Sequence, residues 1–281
     1  MNDSNLIHDQ SIGPLTNLDE LTGWVIHEDD EILVVNKPGW LVCHPSKNGP
    51  WSSLVGAVKE YLKVDSIHLA SRLDRETSGC VLFAKNQRAA RYWQKGTETK
   101  QVKRSYIAVL IGELVDKESV STFLGKDPDS AVFVKQRVTQ RSKKSKRACT
   151  HFYPHMIRDK YTVCTVLTET GRKHQIRVHA QHLGCPLVGE KLYGENENYY
   201  LKFCEDGWSD DWLPTLKMKR QALHGRCLGH EAGDVPFKAD LSEDFLCLLR
   251  EELGLSGEEI ERCLNESDNL FNEIGFKLSS G

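Results

Sequence analysis

Apolar residues in this chain come in strand-length runs. The run Ile107-Ala108-Val109-Leu110-Ile111 and similar runs within 31–36 and 80–84 each stop at a turn or breaker, such as Lys37-Pro38-Gly39. Runs this short read as buried strands and fall far below the ~20 residues of a membrane-spanning helix. Residues 161–168 are β-rich as well. Between these runs the period lengthens. Residues 53–63 put Leu54, Val55, Val58, Tyr61 and Leu62 at helical spacing, and 86–95 predicts a helix with a basic face of Arg88, Arg91 and Lys95. Residues 173–183 predict a helix with two stripes, one apolar (Ile176, Ala180, Leu183) and one polar (His174, Arg177, Gln181), stopped by Gly184. Residues 241–264 suggest two short acidic helices interrupted at Gly254 and Gly257. Strands and helices mix without regular alternation, which predicts an α+β fold rather than a doubly wound parallel sheet.

Charge is segregated. The net charge over 281 residues is −3, yet residues 1–31 and 240–281 each carry −8, so 32–239 carries +13. A basic body between acidic ends points to a polyanionic partner. Residues 135–147 hold seven bases and no acid; with no apolar period they read as a solvated loop able to contact phosphate. The N-terminus has neither the basic nor the apolar region of a secretory signal. The nine cysteines form no CxxC pair. Reduced thiols in a cytoplasmic protein are the expectation.

Three segments could carry chemistry. In Ser71-Arg72-Leu73-Asp74-Arg75-Glu76-Thr77-Ser78-Gly79 an aspartate lies between two arginines, ahead of a buried strand. Flanking cations favour its carboxylate form, and loops at strand ends commonly hold catalytic groups. Thr170-Gly171-Arg172-Lys173-His174-Gln175-Ile176-Arg177-Val178-His179 opens the two-striped helix, where an arginine in the first turns could pair with a carboxylate or a phosphate. Lys103-Arg104-Ser105-Tyr106 sets a basic pair before a strand tyrosine. The histidines at 174, 179 and 182 lack a zinc motif, and no nucleotide-binding glycine fingerprint occurs, so neither metal nor cofactor is expected.

These segments, in this order, resemble the RluA family of RNA pseudouridine synthases. The similarity includes Asn36-Lys37-Pro38-Gly39, Leu183-Gly184-Cys185-Pro186-Leu187-Val188-Gly189-Glu190 and Gln221-Ala222-Leu223-His224, and spans about residues 25–240. It implies a pseudouridine synthase fold: a mixed, largely antiparallel sheet with a central cleft and flanking helices. By the same resemblance 1–24 is a lead-in too short for an RNA-binding module and 25–240 is the catalytic domain; 241–281 is an acidic helical extension, expected to pack on the body away from RNA because its charge would repel phosphate. The implied reaction breaks the glycosidic bond of a uridine, turns the held uracil and rejoins its carbon 5 to the ribose. Asp74 is then the catalytic carboxylate, Arg177 its partner and Tyr106 the residue that stacks on the uracil. Arg72 would help fill the gap left by the flipped base, with Arg75, Lys37 and His174 also on the substrate side. Arg88, Arg91, Lys143 and Lys144 would hold phosphates of a ribosomal or transfer RNA, and family precedent favours a monomer. Ser71 stands where the family usually has histidine. Two other readings compete: the same fold as an RNA-binding module without catalysis, and a glycoside hydrolase using Asp74 and Glu76.

Overall fold

The strand-length runs pair edge to edge. The computed structural model describes residues 15–44, 48–233 and 236–275. Its strands are β1 (Val25–Glu28), β2 (Ile32–Lys37), β3 (His68–Leu69), β4 (Ser78–Ala84), β5 (Val102–Ile111), β6 (Glu118–Lys126), β7 (Gln136–Thr139), β8 (Lys146–Arg158), β9 (Tyr161–Thr168), β10 (Leu223–His230) and β11 (Phe237–Lys238). The helices are α1 (Leu18–Gly23), α2 (Leu54–Leu62), α3 (Gln87–Glu98), α4 (Gln175–His182), α5 (Asn198–Asp206), α6 (Leu213–Leu216), α7 (Glu243–Cys247) and α8 (Gly257–Ile274). One sheet runs β1-β2-β4-β10-β5-β9-β8-β6-β7, with β11 beside β10 and β3 beside β4. Among the described residues every ladder is antiparallel except β4 with β10, where Gly79 pairs with Gly225. The α+β architecture with a largely antiparallel sheet is therefore as expected.

Strand alternation decides which helix each face meets. On β5, Ala108 and Leu110 join Cys164 and Val166 of β9 against Ile176 and Ala180 of α4. The intervening Ile107 and Val109 join Val163 against Phe245, Leu248, Leu249, Leu253 and Ile260 of the C-terminal helices. The acidic extension thus packs on the face of β5 and β9 opposite α4. At the other half of the sheet, Val81 and Phe83 meet α2 while Cys80 and Leu82 meet Ala89 and Trp93 of α3.

Several expectations need correction. Of the lead-in 1–24, residues 1–14 lie outside those described, but α1 is a capped helix whose Leu21 is fully buried against α2 and β2. The basic stretch 135–147 is not simply a loop. Its start is β7, paired with β6 from Phe123↔Thr139 to Lys126↔Gln136, and only the connection to β8 is a turn. Charged side chains on an edge strand suit its solvent-facing position; here Lys135 pairs with Glu197 and Arg137 with Asp127. The C-terminal segment does break between helices near Gly254, but the second helix is long rather than short. Gly257 starts α8 rather than interrupting it, because Ser256 and Glu259 form a capping box that launches 18 helical residues. Nor is the segment an appendage, since Phe271, Ile260 and Cys263 are core residues.

Candidate active site

Asp74 sits in a tight turn, with the Thr77 N–H donating to the Asp74 carbonyl at 3.1 Å. Buried groups hold that turn from all sides. The Leu82 N–H donates to Ser71 Oγ (3.0 Å), and Gln221 Nε2 donates to Thr77 Oγ1 (2.7 Å). Arg220 Nη1 donates to the Glu76 carbonyl (3.2 Å), and Ser78 Oγ lies 2.9 Å from His224 Nδ1. The Gln221-Ala222-Leu223-His224 motif is therefore the underside of the Asp74 loop. Gly79 follows with φ +114, and a Cβ there would fall 2.2 Å from the Gly225 carbonyl oxygen, so the close β4–β10 approach requires glycine. Ser71 is buried and turned inward, so the serine at the histidine position of the family stitches the loop to β4.

The Asp74 carboxylate, about a third exposed, meets Arg177 Nη1 at 3.4 Å and His174 Nε2 at 4.0 Å. Arg177 comes from the first turn of α4 and is 6% exposed. Its stronger partner is Glu190, which accepts from Arg177 Nε at 2.8 Å and Nη2 at 2.7 Å. Burial alone would raise the Glu190 carboxyl. The guanidinium and the N–H groups of Leu192 and Tyr193 outweigh burial and hold it below the ordinary carboxylate range. Burial alone would lower the Arg177 pKa, but Glu190 and Asp74 hold it above the usual value. The guanidinium therefore stays charged and is aimed at Asp74 by a forked ion pair behind it.

His174 caps α4 in the left-handed region (φ 55), a conformation that costs about 1 kcal/mol or more outside glycine. Its Nδ1 lies 2.7 Å from the Tyr193 hydroxyl. Burial, helped by Arg177, lowers its pKa to about 4, so the ring beside Asp74 is neutral near pH 7. Tyr106 lies on β5 between Gly225 and Val166. Burial raises its phenol pKa, which keeps the hydroxyl protonated.

Asp74, Tyr106, His174 and Arg177 line one cleft of about 480 Å³ together with Arg72, Arg104, Arg172 and Lys173, a size that admits a small ligand or a single nucleoside. The chain thus brings Asp74, Tyr106 and Arg177 together with His174 and Arg72. The other expected substrate-side and phosphate-side residues lie outside this cleft. The Lys37 ammonium is fully buried and donates to the carbonyls of Pro38, Leu41 and Arg75, at 2.7, 2.8 and 2.9 Å. It braces the Asp74 turn and cannot reach RNA. Arg75 points away from the cleft, donating to the Trp40 carbonyl and lying over the Phe203 ring. The two arginines flanking Asp74 in sequence are therefore not its ion-pair partners. Glu76 pairs with the buried Lys191 and does not line the cleft, so it does not join Asp74 as a second carboxylate there. Arg88, bound to Glu31, and Arg91, Lys143 and Lys144 do not line the cleft. His179 is held by the hydroxyls of Thr150 and Thr122, so it does not converge with His174.

Glu190 was not singled out from sequence. The only available signal was its place within the Leu183–Glu190 motif. Arg104, Arg172 and Lys173 also stand within the motifs, but nothing in their residue type or spacing marks them as cleft residues.

The sequence and fold have known relatives. Residues 31–182 match the model of the RNA pseudouridylate synthase family. The chain is 32% identical over 237 residues to the uncharacterized RNA pseudouridine synthase YjbO of Bacillus subtilis, covering 81% of this chain and 76% of that protein. It is 32% identical over 246 residues to the ribosomal large subunit pseudouridine synthase D of Xylella fastidiosa, covering 82% and 70%. The fold is similar to that of human RNA pseudouridylate synthase domain containing 4, with a TM-score of 0.66 at 23% identity over 83% of this chain and 94% of that one. Together with the cleft around Asp74, these matches place the chain among the RNA pseudouridine synthases, and it belongs to their RluA family.

Proposed function

We propose that this pseudouridine synthase isomerises one or a few uridines of ribosomal RNA, with Asp74 as the catalytic carboxylate. The observation that carries the reading is the Asp74–Arg177–Glu190 chain on the floor of a basic cleft that also holds Tyr106. The target base leaves its stack to enter the cleft, and Arg72 on the rim stands where it can occupy the vacated gap. Asp74 then acts on the ribose, by attack or by removing the 2′ proton. Arg177 pairs with the carboxylate and aims it. Tyr106 lies against the uracil as it turns. Arg104, Arg172 and Lys173 on the same cleft supply contacts to phosphate that are blind to sequence. Ribosomal RNA is preferred because similar proteins are named for it. The same reading takes the protein as a cytoplasmic monomer.

The test is a map of pseudouridine in total RNA from cells with and without the gene. Loss of one or a few ribosomal sites, restored by wild type and not by Asp74→Asn, is the expected result. Loss confined to transfer RNA would move the substrate class. Purified protein that binds RNA but isomerises none would favour the binding-module reading.

A further inference from the structure

We propose that Cys149, His151 and Glu169 form a zinc site at the margin of the cleft. Cys149 and His151 project from the same face of β8 as alternate residues, and Glu169 directly follows β9, its N–H donating to the Cys149 carbonyl at 3.1 Å. Three ligand atoms of different chemistry converge there. Cys149 Sγ lies 3.6 Å from His151 Nε2 and 3.3 Å from Glu169 Oε1, and the nitrogen and oxygen are 3.0 Å apart. Tetrahedral zinc with ordinary bond lengths to sulfur, nitrogen and oxygen separates its ligands by roughly 3.3–3.6 Å. The triangle therefore needs a movement of only a few tenths of an ångström to close on an ion.

Three features around the triangle fit a metal. Ser119 Oγ lies 2.8 Å from His151 Nδ1. It can take the Nδ1 proton and leave Nε2 free to ligate, the arrangement that orients most metal-binding histidines. Lys100 Nζ lies 3.5 Å from Glu169 Oε2, the other carboxylate oxygen, which leaves Oε1 to the centre. Glu169 and its neighbours Thr168 and Thr170 line the cleft, which provides an entry path and room for water as fourth ligand. A thiolate–imidazole–carboxylate set suits zinc better than magnesium or calcium, which take oxygen ligands. On binding, the Zn–S bond replaces the thiol S–H bond and the proton leaves to solvent. This site is separate from the Asp74 chemistry and does not depend on which RNA is modified.

Cobalt(II) is the probe, because a thiolate ligand gives it a charge-transfer band and tetrahedral geometry gives it strong visible absorption. Titrating the metal-free full-length protein at micromolar concentration should give both signals at one equivalent, with zinc displacing the cobalt stoichiometrically. Cys149→Ser should remove the charge-transfer band, and Ser119→Ala should weaken binding about tenfold. Should Cys149→Ser fail to fold, the near-isosteric Glu169→Gln must still lose affinity. Absence of stoichiometric cobalt and zinc binding by the wild type overturns the proposal. So does a band that survives in Cys149→Ser, since it would belong to another of the nine cysteines.

Discussion

At the scale of single residues, the site depends on a cation held between two carboxylates of different kinds. Glu190 is buried and fully bonded, while Asp74 faces the cleft. Removing the inner carboxylate strands a buried guanidinium, which typically costs about 3–5 kcal/mol. Glu190→Ala should therefore lower the melting temperature markedly and cut turnover, and Glu190→Gln should recover much of the stability but less of the turnover. Equal recovery of both would mean that Glu190 serves only the fold. That Asp74, Tyr106 and Arg177 would share one cleft was legible because each stands in a motif of distinctive order. Glu190 and Lys37 were not. A cation or acid in a motif reads as a surface group, and nothing in its spacing reveals that three carbonyls, or a guanidinium and two backbone N–H groups, will meet it in the interior.

At the scale of elements, β2 and β4 could be read within about two residues, because burial on both faces gives an unbroken apolar run, whereas β5 begins at Val102, five residues ahead of its apolar run. The edge strand β7 and the start of α4 could not. β7 owes its existence to pairing with β6 rather than to its own polar sequence. α4 begins at Gln175 because His174 takes the left-handed cap. Two predictions belong here. The exposed turn after β7 carries Arg141, Lys143 and Lys144. If it reaches phosphates beyond the cleft, replacing all three with Ser should weaken RNA binding without slowing turnover at saturation. The slope of log affinity against log salt should then fall by about one per lost contact; an unchanged slope would place the turn off the RNA. Truncation before Ser256 removes Ile260, Cys263 and Phe271, each apolar side chain contributing up to about 1.5–3 kcal/mol by burial. It also removes Asp268, the bidentate partner of Arg226 at 3.0 Å. The truncated chain should be severely destabilised. Charge neutralisation at the exposed Glu258, Glu261 and Glu273 is the proper test of the segment's electrostatic role, and it should leave RNA affinity unchanged or raised.

Across the whole molecule, buried histidines tie stability to pH. Burial lowers the pKa of His174 and His179 to about 4 and that of His224 to about 3. An unfolded histidine titrates near 6.5, so between pH 6.5 and 3–4 the unfolded state binds protons that the native state does not. Stability should be full above pH 6.5 and fall on acidification through that window, by up to about 1.4 kcal/mol per pH unit for each histidine. Urea midpoints measured from pH 7.5 to 5 check this, and a flat profile would contradict the burial of these rings. The segregated charge, with a basic body and acidic ends, was plain in sequence. That the acidic C-terminal helices cover the face of β5 opposite α4 was not, because it follows from strand alternation in a sheet whose order the sequence does not state.

The central claim, that Asp74 performs the isomerisation, is tested most directly with purified Asp74→Asn on RNA whose uridines carry tritium at carbon 5. Asparagine preserves the shape of the side chain and removes its charge. The account predicts no tritium release above background, with RNA affinity close to wild type. Release at a rate near that of the wild type would contradict it.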